Sequence, residues 1–88
     1  MSGTFTKEQI EAMVRAVLIE QAKLPPEKFA LAASIRNDLG IDSLDIVELM
    51  FDLEKRFEIV IPDEDLLRIV TISDLINYLV EKLSTQAH

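Results

Sequence analysis

Ser43 is the residue whose setting most suggests chemistry. Gly40 suits a turn that needs a positive φ angle, Asp42 stands where a helix N-cap is expected, and Ser43 opens the helix that follows. A hydroxyl placed there points outward and can be reached by a modifying enzyme. A phosphate ester on it would lie beside the positive end of the helix, an interaction worth roughly 0.3–1 kcal/mol. Position alone also allows a plainer role, because serine is itself a favoured capping residue.

Other routes to chemistry are poorly supplied. There is no cysteine, which excludes a thiolate nucleophile, a disulfide framework and cysteine-based metal sites. Serines and threonines need a base, and the single histidine, His88, is the last residue, so a serine-histidine-acid triad is not expected. Asp42 with Asp45, and Asp63 with Asp65, form carboxylate pairs. Both fall in first helical turns, where acids are expected for capping, whereas acid-base catalysis needs a cleft that drives two pKa values apart. No glycine loop cradles a phosphate, and no calcium-loop pattern surrounds Asp63-Glu64-Asp65. The expectation is a protein that is not an enzyme and has no dedicated metal site.

The charge pattern points to partners. Of the net charge of −7, the stretch from Asp38 to Asp65 carries more than its share, with ten acidic and two basic residues; the other sixty positions hold six acidic and seven basic ones. Such a stretch repels nucleic acid and anionic lipid and attracts basic surfaces. The plainer alternative is a solvated face that confers solubility. The N-terminal string Met1-Ser2-Gly3-Thr4-Phe5 lacks the pattern of a signal or transit peptide. No apolar run approaches the roughly 20 residues that span a bilayer. A cytoplasmic, monomeric protein without stable membrane insertion is expected.

These groups must be held by helices. The chain has 88 residues, 49% of them hydrophobic, with two glycines and three prolines, too little turn chemistry for a many-stranded β fold. One domain over residues 1–88 is expected, with an ordered core over about residues 6–83. Thr6 and Gln9 have capping-box spacing, and Ile10, Met13, Val14, Val17 and Leu18 give a helix from about Lys7 to Ala22 an apolar face. Pro25-Pro26 stops it. A long connection over residues 23–41 follows; Phe29, Leu31, Ile35, Leu39 and Ile41 predict that it packs across the bundle. The second helix runs from about Ser43 to Phe57. Leu44, Val47, Met50, Phe51 and Phe57 are expected inside, with Ile46, Leu49 and Leu53 widening the stripe, and Asp45, Glu48, Asp52 and Lys55 form an outward ridge. Pro62 opens a short helix over about 63–69. Thr71 and Asp74 cap a fourth, running to about Leu83 with Ile72, Leu75, Ile76, Leu79, Val80 and Leu83 buried. Residues Ser84 to His88 are expected to fray. The fold class is all-α: a four-helix bundle of three main helices and one short one, with a long first loop.

The string Asp38-Leu39-Gly40-Ile41-Asp42-Ser43-Leu44-Asp45 resembles the prosthetic-group attachment motif of acyl carrier proteins. The resemblance continues through Val47-Glu48-Leu49, Phe57, Ile61-Pro62-Asp63-Glu64 and Thr71, and covers about residues 6–83. It implies that a phosphopantetheinyl transferase moves 4′-phosphopantetheine from coenzyme A onto Ser43, flanked by Asp42 and Leu44, and that the arm's thiol holds acyl groups as thioesters. The absence of cysteine agrees, since the reactive sulfur then belongs to the cofactor. It further implies that Asp42, Asp45, Glu48 and Glu54 dock acyl-loading and acyl-transferring enzymes through their basic patches, with Leu44 and Met50 as apolar anchors. Val47, Phe51, Leu66, Ile69 and Leu75 are the corresponding candidates to line an acyl pocket between the last three helices.

Some positions depart from the family pattern. Lys55 and Arg56 interrupt the acidic run, Arg36-Asn37 replace an apolar-acidic pair, and Ile35 stands in place of an aromatic residue. These departures are either neutral variation of the surface or the sign of a dedicated carrier in a specialised lipid, polyketide or aminoacyl pathway. Aspartate before the serine argues against a peptidyl carrier. The competing reading is a structural module of the same fold that docks through its acidic helix and carries nothing.

Overall fold

The computed structural model describes residues 5–86. The string Met1-Ser2-Gly3-Thr4 and the pair Ala87-His88, with the readings made of them, lie outside the described residues. Four α-helices account for the described architecture: α1 (Lys7–Gln21), α2 (Ser43–Phe57), α3 (Asp63–Leu66) and α4 (Ile72–Gln86). Among the described residues there is no strand, only one isolated bridge between Ser34 and Thr71. No helix there is long and apolar enough to cross a membrane.

Helix α1 starts at the expected capping box. Gln9 N donates to Thr6 Oγ1 (3.1 Å), and Thr6 N donates to Gln9 Oε1 (2.9 Å). Ile10, Val14, Val17 and Leu18 are buried at helical spacing. The helix ends four residues before Pro25: Lys23 takes a left-handed conformation (φ 59°), and Leu24 N returns to Leu18 O at 3.1 Å. The prolines then begin a single 3-10 turn, Pro26–Lys28.

The connection over 23–41 packs as expected. Ile35 N donates to Val70 O (2.9 Å), Ile72 N to Ala33 O (3.1 Å) and Ser73 N to Leu31 O (2.8 Å), which straps the loop to the start of α4. Ile35 and Ile41 are buried, and Phe29 and Leu39 pack half-buried against the core. Leu31 does not pack and is 44% exposed. It sits inside the turn closed by Ala33 N to Ala30 O (3.0 Å), and the middle of such a turn faces solvent.

Helix α1 packs against both α2 and α4. From α2 the core takes Ile46, Leu49, Met50, Leu53 and Phe57; from α4 it takes Ile72, Leu75, Ile76, Leu79 and Leu83. Each such side chain stabilises the fold by about 1.5–3 kcal/mol relative to exposure. Phe5 meets the Phe57 ring edge-on, 5.2 Å between centroids. Val80, expected inside, is half-buried. Helix α4 continues to Gln86, past the expected end at Leu83, because buried Leu83 anchors its last turns.

Helix α3 is shorter than its expected span. After Leu66 the chain tightens into i→i+3 closures, with Arg68 N on Asp65 O (3.1 Å) and Ile69 N on Leu66 O (3.2 Å). The tightening delivers Val70 to its bond with Ile35. Tyr78 of α4 ties α3 down, its hydroxyl donating to Asp65 Oδ2 at 2.6 Å. Burial first, and the adjoining Asp65 second, push the Tyr78 phenol far above its ordinary pKa of 10.0, so it remains a donor.

At the start of α4, Asp74 N donates to Thr71 Oγ1 (3.0 Å), while Asp74 Oδ2 accepts from Thr71 N and Val70 N, both at 3.1 Å. The backbone donors Thr71 and Val70 hold the Asp74 carboxyl below its ordinary value of 3.8, against a smaller opposing effect of burial. A lowered folded-state pKa adds stability that is complete above the unfolded-state pKa and disappears as pH falls through the folded one. Asp74→Ala should therefore melt at a lower temperature than the parent at pH 7. The gap should close as pH drops from about 4 towards 2; thermal melts at several pH values measure it, and a pH-independent gap would contradict this account.

Candidate functional site

The site begins with a turn. Gly40 takes φ 69°, and a Cβ built there would meet nothing within 4 Å, so conformation rather than space requires glycine. Asp42 follows in extended geometry, and its Oδ1 accepts from Asp45 N at 2.9 Å, which makes it the N-cap of α2. Ser43 is then the first helical residue, exposed, and its hydroxyl forms no hydrogen bond among the described residues. The capping role that position alone allowed for Ser43 is taken by its neighbour.

That arrangement has definite chemical limits. No described side chain is hydrogen-bonded to the Ser43 hydroxyl, and the nearest carboxylate along the chain is engaged as the cap. The serine therefore has no base of its own, and a reaction there needs one from another protein. An anionic substituent on Ser43 would feel the helix end, favourable by roughly 0.3–1 kcal/mol. Asp42 and Asp45 oppose it by a comparable exposed-charge repulsion of about 1 kcal/mol at 4 Å. Both effects are small at an exposed helix start, so the helix end gives little hold on a free anion. Among the described residues no three acids or histidines cluster to hold a metal ion.

Helix α2 divides into three sectors. At about 100° per residue, Ile46, Leu49, Met50, Leu53 and Phe57 share one sector and are buried. Asp45, Glu48 and Asp52 share a second. Leu44 (68% exposed), Val47 and Phe51 (58% exposed) share a third and face solvent. This overturns part of the expected inner face: Leu44, Val47 and Phe51 point outward, and the residues assigned to widen the stripe are its centre. Both apolar sets have helical spacing. The second is outward because the inner sector meets α1 and one helix cannot bury both sides against it.

The docking candidates separate accordingly. Asp45 and Glu48 are exposed, as is Leu44. Met50 is not a surface anchor; it is 4% exposed and belongs to the core. Glu54 is also corrected: it is half-buried, and its Oε2 accepts from Ile61 N at 2.6 Å, bracing the chain that leads into α3. Arg56 turns back onto the body, with Nε 3.4 Å from Asp52 Oδ2 and a guanidinium nitrogen 3.9 Å from Glu20 Oε1. The contact with Asp52 has ion-pair distance but falls short of hydrogen-bond geometry. Lys55 and Arg56 are both exposed beside the acidic sector, and of the two Arg56 faces Asp52 and Glu20.

The pocket candidates separate too. Leu75 is fully buried core and Val47 and Phe51 face solvent; none of the three lines the recess that Leu66 and Ile69 share. Leu66 and Ile69, with Leu67 and Val70, form one wall of a recess of about 270 Å³. Its other wall is Ser34, Arg36 and Asn37, from the long loop. The loop contribution was not expected, although Arg36-Asn37 had been singled out by their types. A larger depression of about 580 Å³ runs along α1 from Glu8 to Ile19; it is lined by that helix alone and shares no residue with the Ser43 region.

The chain matches the family model described as "Phosphopantetheine attachment site" over residues 12–79. It is similar to the acyl carrier protein of Campylobacter curvus, at 46% identity over 70 residues, covering 80% of this chain and 90% of that protein. The acyl carrier protein of Campylobacter concisus is 47% identical over 70 residues, with the same coverage. That of Bdellovibrio bacteriovorus is 42% identical over 73 residues, covering 83% of this chain and 94% of the relative.

The sector assignment of α2 is open to a direct check. Met50→Ala should cost about 2–5 kcal/mol in urea unfolding. Phe51→Ala, one residue on, should change stability by no more than about 0.5 kcal/mol. Equal losses would return Phe51 to the interior.

Proposed function

The chain belongs to the acyl carrier protein family, which carries acyl groups on phosphopantetheine and does not itself catalyse their reactions, and from that premise we propose that Ser43 is the residue esterified. The observation that supports this reading is the exposed, unpartnered Ser43 hydroxyl directly behind the Asp42 cap. When bound, the cofactor supplies a terminal thiol that holds an acyl group as a thioester, the sulfur this cysteine-free chain lacks.

The residues divide the work. Ser43 Oγ attacks the pantetheine-bearing phosphorus of coenzyme A. One P–O bond forms as another breaks, and adenosine 3′,5′-bisphosphate leaves. The serine proton goes to a base that the transferase must supply. Asp42 and Gly40 set the backbone that presents the hydroxyl. Leu44, 68% exposed beside it, offers the transferase an apolar contact.

Members of the family interact with a phosphopantetheinyl transferase and with acyl-handling enzymes. For this chain, Asp45 and Glu48 supply the charge that meets basic patches on those enzymes. Exposed charges favour fast, salt-sensitive encounter over tight binding. Val47 and Phe51 extend the apolar contact begun by Leu44, and the chain works as a cytoplasmic monomer. Arg36-Asn37, Lys55 and Arg56 suit a carrier for a dedicated set of enzymes; neutral surface variation on a fatty-acid carrier is the alternative.

Incubation with coenzyme A and a promiscuous transferase should add about 340 Da, the mass of the arm, and Ser43→Ala should add nothing. An unmodified parent chain would instead support a structural module of the same fold. Glu48→Lys should slow the modification about two- to tenfold at low salt and flatten its salt dependence. An unchanged rate at low salt would reduce the acidic sector to a solubilising face.

A further inference from the structure

The recess of about 270 Å³ has two unlike walls. Leu66, Ile69 and Val70 make one side apolar, and Ser34, Arg36 and Asn37 make the other polar. The recess is small and opens to solvent, and it suits a short chain.

The polar wall holds unused donors. The Arg36 guanidinium and the Asn37 side-chain amide form no ion pair or hydrogen bond among the described residues. Ser34 Oγ accepts from Asn37 N at 3.2 Å, which leaves its own hydrogen free to donate. Asp38, the next acid along the chain, accepts from Ser34 N through Oδ2 at 2.8 Å and forms no ion pair with Arg36. A guanidinium fork with adjoining neutral donors matches a carboxylate better than any uncharged group.

The recess also lies near the modified residue. Ile41 N donates to Ile35 O at 3.2 Å, which clamps the two ends of the loop tip together. Arg36 is one residue beyond one side of the clamp and Ser43 two residues beyond the other. Each path spans at most about 7 Å of backbone.

Resting on the reading that Ser43 bears the arm, we propose that this recess receives a short acyl chain ending in a carboxylate. Arg36 pairs with the carboxylate, Asn37 and Ser34 donate to it, and Leu66 and Ile69 cover the methylenes. Arg36 is exposed, so its pairing changes occupancy by a few-fold and not by orders of magnitude. It selects among short acyl groups and still lets them leave.

The test compares two six-carbon chains. The protein is loaded from adipyl-coenzyme A and from hexanoyl-coenzyme A, and loading at Ser43 is confirmed by mass. Thioester cleavage by hydroxylamine is then measured, each rate relative to that of its free coenzyme A thioester, together with the Arg36 Nε–H resonance. The adipyl group should be protected about two- to fivefold more than the hexanoyl group, and only it should move the Arg36 resonance. Arg36→Gln should remove both differences, and that exposed substitution leaves the core untouched. Equal protection with an unmoved Arg36 resonance, or discrimination that survives in Arg36→Gln, would overturn the proposal alone. A chain that accepts no arm would overturn both this proposal and the reading beneath it.

Discussion

One hydrogen bond organises the start of α2 and the turn that leads into it. Asp42 Oδ1 accepts from Asp45 N and so takes over the capping of α2, which releases Ser43 from the role a serine usually fills at that place. Were Ser43 the cap, its oxygen would be turned into the helix and occupied by a backbone donor. Because the carboxylate performs that task one residue earlier, the hydroxyl stands free at the first turn. Gly40 is what allows the chain to arrive at Asp42 in the extended conformation a cap requires.

The remainder of α2 serves the same end by rotation. With its central apolar residues set against α1, the acids and the second apolar set are both turned to solvent, side by side. A partner approaching this helix meets charge along one flank and hydrocarbon along the other. Charge accelerates the encounter, and buried hydrocarbon with good fit determines how long it lasts. Arg56 stays exposed but is turned onto Asp52 and Glu20, which offsets part of the charge of the acidic flank.

Much of this was legible in the residues themselves. Capping pairs are local, so Thr6 with Gln9, Asp42 with Asp45 and Thr71 with Asp74 could be read directly, and the three main helices begin where those pairs placed them. The placement of Ser43 at the start of α2 was legible for the same reason. What could not be read is the rotation of α2, because Leu44, Val47 and Phe51 repeat with the same period as Ile46, Leu49, Met50 and Leu53. Periodicity identifies a stripe but not the stripe that meets a neighbour. Met50 was rightly placed inside by its spacing, and only its docking role from the resemblance fails; Glu54, assigned to docking, also braces Ile61 through a tertiary hydrogen bond that has no local trace. The end of α3 escaped for the same reason. It is set by the pairing of Ile35 with Val70, which joins positions far apart in the chain and leaves no local trace.

The short helix α3 has a separate bearing on how the protein behaves. It contributes no fully buried side chain, and its visible tie to α4 is the single bond from Tyr78 to Asp65. A segment so lightly anchored separates at a small fraction of the free energy that holds α1, α2 and α4 together. The protein is thus built in two tiers of stability. Of the apolar recess wall only Leu66 lies on this helix; Ile69 and Val70 follow it, and Val70 is bonded to both Ile35 and Asp74.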